Sequence, residues 1–107
     1  MRRAFIIIGF FIAYYLGIIR LFYYLTKGRQ RVITYHNVIP DKYFNNSIEL
    51  GVSCSSNVFE FQLNEIGKKF KFTTQLEEKD SCIITFDDGY KNNYNVALPI
   101  LDLYSIE

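Results

Sequence analysis

Ala4 to Leu25 is apolar or aromatic throughout apart from Arg20, and this run commits the first quarter of a 107-residue chain. At 1.5 Å per residue a helix over it is roughly 33 Å long, enough to cross a bilayer core. No face of the run is polar, which sets it apart from the helices that line a soluble core. Arg20 is near one end, where it can snorkel, and Tyr23 and Tyr24 fit an interfacial belt. No small-residue cleavage site follows the run, so the expectation is one uncleaved transmembrane helix rather than a signal peptide. Residues 1–30 are then a membrane anchor with a basic linker, and residues 31–107 have room for one small domain.

Charge divides sharply along the chain. Arg2, Arg3, Arg20, Lys27, Arg29 and Arg31 meet no acidic residue before Tyr35, whereas six lysines oppose eleven acidic residues from there on. The basic residues flank the apolar run, where lipid headgroups are the natural partner. The acidic remainder argues against a nucleic acid as partner. Basic residues stand on both sides of the run, and counting them places the C-terminal portion in the cytoplasm.

The stretch that carries chemistry is Ile83-Ile84-Thr85-Phe86-Asp87-Asp88-Gly89-Tyr90. Cys82 to Phe86 has the apolar, β-branched composition of a parallel strand covered on both faces. Asp87 and Asp88 stand at the carboxyl end of that strand, which is where α/β sheets and barrels bind ligands. Gly89 allows a sharp turn. Adjacent carboxylates can take different tasks, one holding a metal and the other accepting a proton from water. A solvated Asp-Asp-Gly turn that merely ends a strand is the plainer reading of the tripeptide.

The rest of the chain supplies a first strand at Val32–Tyr35 and a loop from Asn37 to Asn57. Asn57 and Glu60 have the spacing of a capping box, opening a helix whose buried stripe is Phe59, Leu63, Ile66 and Phe70. Lys71–Thr74 forms a short strand. Tyr94, Ala97, Leu98, Leu101 and Tyr104 give a second apolar helical face, with a kink or fresh start expected near Pro99. Cys82 packs as a small apolar residue, and two cysteines, Cys54 and Cys82, do not by themselves establish a disulfide. Asn45-Asn46-Ser47 matches a glycosylation sequon and carries no weight.

Thr85-Phe86-Asp87-Asp88-Gly89-Tyr90 resembles the first signature motif of the polysaccharide deacetylases, the NodB-homology enzymes of carbohydrate esterase family 4. Three further segments agree in order. Arg31-Val32-Ile33-Thr34-Tyr35-His36-Asn37-Val38 looks like the opening strand of the membrane-associated and secreted branch. Val52-Ser53 with Phe59-Glu60-Phe61-Gln62-Leu63 resembles the following helix, here with extra residues between the two pieces. Ala97-Leu98-Pro99-Ile100-Leu101 with Tyr104 and Ile106 resembles the helix after the acidic motif.

The resemblance implies an α/β fold, the N-terminal part of a deformed β/α barrel, and metal-dependent removal of acetyl groups from an N-acetylated glycan. It makes Asp87 the general base and Asp88 a ligand to a divalent metal, usually zinc. It also implies that the domain lies outside the cytoplasmic membrane, against the count of basic residues. The family completes its metal site with a His-x-x-x-His pair downstream, whereas the single histidine here is His36, upstream of the motif. The expectation is therefore a partial deacetylase domain, its metal site incomplete and Phe86, Ile84 and Ile33 left without the neighbouring strands and helices that normally cover them. His36 either walls the sugar site or orients a catalytic group, or else is a histidine hydrogen-bonded to nearby backbone that holds the Asn37 loop in place. Two other readings compete: a non-catalytic, membrane-anchored module, and a phosphotransferase with an aspartyl nucleophile. The latter fits less well because such sites space their two aspartates by one position.

Overall fold

The computed structural model describes residues 2–44 and 53–106. The N-terminal run forms two helices, α1 (Arg2–Tyr15) and α2 (Ile18–Leu25), whose axes are bent by 71°. The break falls at Leu16 and Gly17, and Gly17 has φ 72°, a left-handed conformation that disfavours residues with a Cβ. A Cβ there would meet nothing within 4 Å, so backbone conformation rather than crowding selects the glycine. This corrects the expected single continuous helix. Among the described residues no one helix is long and apolar enough to cross a membrane, and only the bent pair meets the test together.

The basic linker after α2 is pinned to the domain. The Gly28 N–H donates to Asp80 Oδ1 at 2.9 Å. Gln30 Nε2 donates to the Gln75 carbonyl and to Ser81 Oγ, while Gln30 Oε1 accepts from the Glu77 N–H. Arg31 reaches back to the Thr26 carbonyl and hydroxyl, with its guanidinium 5.5 Å from the Phe70 ring centre. Phe70 in turn meets Tyr23 of α2 edge-on.

Beyond the linker the chain is a mixed α/β structure with small parallel sheets. Strand β1 (Arg31–Tyr35) pairs in parallel with β5 (Ser81–Phe86), and β5 with β4 (Lys71–Phe72), in the order β1-β5-β4. A second parallel pair joins β2 (Asn37–Ile39) to β3 (Ser53–Ser55). The segment 37–57, expected as loop, thus holds a strand at each end. Val38 and Ile39 are buried, and that burial outweighs the turn-forming composition around them. The sequon at 45–47 lies outside the described residues.

Helix α3 (Ser56–Gly67) begins two residues earlier than the capping box implies. Ser55 is the N-cap, its hydroxyl accepting from the Val58 N–H at 3.3 Å. Asn57 is already helical, and its side chain instead donates to Asp41. Phe59 and Leu63 are fully buried, as the stripe predicts, whereas Ile66 and Phe70 are half-buried toward its end.

The last segment departs from a plain helix in the way Pro99 dictates. A π-helical turn (Asn93–Ala97) leads into α4 (Leu98–Leu103), which restarts with Pro99 in its first turn. Widening the helix rotates the side chains that follow, so Ala97 and Leu101 are buried while Tyr94, Leu98 and Tyr104 of the expected face are exposed. The end of α4 is a Schellman motif. Ser105 is left-handed at φ 52°, its N–H donates to the Asp102 carbonyl, and Ile106 N–H donates to the Leu101 carbonyl. Ile106 folds back into the core.

Tyr35, Val38, Phe59, Leu63, Ala97, Leu101 and Ile106 form that core, and Ile33, Ile84 and Phe86, expected to lack cover, are packed against it. In the parallel register Ile33 lies beside Ile84 and Tyr35 beside Phe86, so one face of β1 and β5 meets the helices. The alternating residues Val32, Thr34, Ile83 and Thr85 form the other face, where Val32 is 60% exposed and the Thr34 and Thr85 hydroxyls share a hydrogen bond. On β1 this face is open, whereas on β5 Ile83 and Thr85 are half-buried like Ile84 and Phe86, so the two-sided cover expected of β5 is partial.

Candidate active site

The carboxyl ends of β1 and β5 lie side by side because the two strands pair in parallel and in step, Tyr35 opposite Phe86. One more backbone bond extends the ladder, from the Asp87 N–H to the Tyr35 carbonyl at 2.9 Å. His36 and Asp87 therefore leave adjacent strand ends together, with His36 Nε2 3.9 Å from Asp87 Oδ2. Both are solvent-accessible, at 39% and 60% exposure of the side chain, so the pair is open to a ligand. A protonated His36 would form an ion pair with the Asp87 carboxylate across this gap.

Asp88 and Gly89 have φ 65° and 60°, two successive left-handed residues that turn the chain away from the sheet. Aspartate is one of the few residues with a side chain that tolerate this region, so the second carboxylate is tied to the turn. Asp87 and His36 come together at the strand ends, while Asp88 follows in the turn.

Two supports of this site escaped sequence reasoning. Asn37, next to His36, is buried and its Oδ1 accepts from Asn92 Nδ2 at 3.0 Å. That bond ties the segment after the acidic turn to β2. The Asn92-Asn93 pair close after the motif was its one signal, and composition reads such pairs as loop. Below the site, Tyr35 donates its hydroxyl to Gln62 Oε1 at 2.8 Å, and its ring meets Phe59 edge-on at 4.8 Å. Burial, with Cys54 and Cys82 nearby, pushes the Tyr35 hydroxyl pKa up to about 12. Both cysteines are free thiols, and burial pushes each upward.

Among the described residues no three His, Cys, Asp or Glu side chains come together as a metal site. A catalytic zinc takes three protein ligands, so Asp88 with His36 does not by itself fit that group. What the strand ends do provide is a carboxylate poised beside an imidazole, both open to solvent, at the end of a parallel sheet.

The fold defines the chain as a mixed α/β protein. Comparison with protein-family models, with curated proteins and with solved structures finds no match to it.

Proposed function

We propose that this chain carries the acidic half of a site that removes acetyl groups from an N-acetylated glycan. The observation that supports the reading is the His36 and Asp87 pair at adjacent carboxyl ends of parallel strands, within the segment whose sequence resembles the deacetylase motif. In this reading the barrel begins here, with α3 and α4 as its outer helices and the partly open face of β1 and β5 turned toward further strands. The anchor holds the domain at a lipid bilayer, on the outer side of the cytoplasmic membrane.

The chemistry asked of this chain is proton transfer. A water oxygen attacks the acetamide carbonyl carbon, and its proton passes to Asp87. The carbon–nitrogen bond then breaks as the amine nitrogen takes that proton back from Asp87, and acetic acid leaves and ionises to acetate. His36, 3.9 Å from the Asp87 carboxylate, acts as a positioning residue that holds Asp87 in one orientation. A divalent metal would polarise the carbonyl. Asp88 would give it one ligand, with the others coming from outside the residues described here.

The test combines a sequence and an assay. DNA following the Glu107 codon that encodes an apolar strand and a His-x-x-x-His segment, in any frame, supports the reading; an intact stop followed by unrelated sequence favours a non-catalytic membrane-anchored module. A longer chain with that segment should release acetate from N-acetylglucosamine oligomers. Asp87→Asn should lose acetate release and keep bound metal by elemental analysis. Asp88→Asn, which retains the left-handed turn, should lose metal. Metal lost with Asp87→Asn and kept with Asp88→Asn would reverse the two roles.

A further inference from the structure

We infer that α1 and α2 insert as a wedge into one leaflet of an anionic bilayer, with both outer ends at the same headgroup surface. The inference rests on the membrane reading above and replaces a spanning helix with a one-sided one.

Length and angle come first. The fourteen residues of α1 and eight of α2 give arms of about 21 Å and 12 Å, each shorter than a hydrocarbon core of about 30 Å. With the axes bent by 71° at Gly17, an apex-down wedge reaches only roughly 10 Å below the headgroups, the depth at which interfacial helices lie.

The apolar surface says what surrounds the wedge. No residue of either helix is buried in the protein, and Phe5, Phe10, Ile12, Leu21, Phe22 and Leu25 are each more than half exposed. The inside of the bend is apolar as well, a recess of about 310 Å³ lined by Phe10, Phe11, Tyr14 and Ile19. A protein partner would cover one side of such a pair. Only a hydrocarbon medium satisfies both, with an acyl chain filling the recess.

Charge supplies the independent argument. Arg2 and Arg3 precede the pair, Lys27 and Arg29 follow it, and no acidic residue occurs before Asp41. For a spanning helix these flanks conflict, because one basic cluster would have to cross the membrane. In the wedge both clusters rise to one surface and that conflict disappears, while Arg20, three residues past the apex at Gly17, reaches the same surface by snorkelling. Lys69 of the domain, 5.7 Å from the Tyr23 ring centre, adds a cation beside the end of α2. Phosphatidylglycerol-type headgroups complement this ring of positive charge.

The test uses the full chain with a dithionite-bleachable fluorophore on its N-terminal amine, reconstituted from detergent into phosphatidylcholine vesicles with or without phosphatidylglycerol. Flotation should show at least about tenfold tighter binding to the anionic vesicles, lost at high salt. Intact vesicles are then bleached with dithionite, cleared of it, and treated with trypsin. In the wedge, each chain whose domain is outside also has its N-terminus outside, so every chain still fluorescent resists trypsin. In a spanning helix the fluorescent chains are the ones trypsin cuts, and that result overturns the inference while leaving the membrane reading standing. Equal binding to both vesicle types overturns the anionic preference. Failure to float with either overturns the membrane reading, and the wedge with it.

Discussion

Phe59→Ala probes the link between core and site more directly than any change within the site. Phe59 is fully buried, with its ring 4.8 Å from that of Tyr35 and 6.0 Å from that of Phe86. Removing the ring forfeits about 1.5–3 kcal/mol of transfer free energy, and the cavity left beside two aromatic neighbours brings the loss to about 3–5 kcal/mol. At ~0.05–0.15 kcal/mol per residue the segment after the linker holds roughly 4–12 kcal/mol in all, and its open sheet face places it toward the lower end. The variant should therefore spend much of its time unfolded. Urea unfolding in mild detergent, followed by near-ultraviolet circular dichroism of the tyrosines in a chain without tryptophan, measures the loss. Tyr35 and Phe86 directly precede His36 and Asp87, so hydrogen exchange at the Asp87 amide, which bonds the Tyr35 carbonyl, should quicken in parallel. Phe61→Ala, at a position 64% exposed, is the control and should stay within about 0.5 kcal/mol of the parent. A Phe59→Ala loss below about 1 kcal/mol with the Asp87 amide still protected would refute the claim that this ring organises the strand ends.

Ser55→Ala should cost about 1 kcal/mol by removing the N-cap of α3, measured by the same unfolding experiment; an unchanged midpoint would mean that another group caps the helix. Ser105→Gly should raise stability by roughly 1 kcal/mol by relieving the left-handed conformation at the end of α4, and a destabilised variant would contradict the Schellman geometry. Tyr35 bears on pH: its folded pKa of about 12 lies above the ordinary value of 10, so its neutral form is favoured by folding. That contribution is complete below pH 10 and is lost as pH rises toward 12; in Tyr35→Phe this part of the alkaline fall in the unfolding midpoint should vanish.

Periodicity and composition were enough to find the strand pair and the acidic turn. Ile83 to Phe86 reads as a strand, and the Asp-Asp-Gly that follows can only end it. The stripe through Phe59 and Leu63 was equally readable, because large apolar residues four apart have one place to go. Where neighbouring signals competed, the reading went astray. Asn57 and Glu60 match a capping pattern, yet Ser55 is nearer the point where the chain enters the helix and Asn57 has Asp41 to bond. Tyr94 and Leu98 share a face on an ideal helix, but the wider turn ahead of Pro99 changes the rotation per residue. Gly17, one of two glycines within the apolar run, weighs little against nineteen hydrophobic neighbours in a composition argument. Its left-handed backbone nevertheless turns one rod into two. The Asn37 to Asn92 bond joins residues 55 positions apart, and no local pattern encodes such a pairing.

The pairing of β1 with β5 also sets an order of events during synthesis. Thr34 and Thr85, which share a hydrogen bond across the pair, are 51 residues apart in the chain. Closing a loop of that length carries an entropy cost that local contacts do not, and non-local parallel pairs form slowly for this reason. Translation delivers the apolar helices first, then Val32 to Tyr35, and only several seconds later the strand that must lie beside them. Throughout that interval the β1 strand has an unpaired edge and a β-branched, aromatic sequence, the features that make nascent chains stick to one another. On the proposed membrane reading, early capture of α1 and α2 by a bilayer would hold each unfinished chain apart from its neighbours until residues 81–86 emerge, so the helical segment would serve the chain's birth as well.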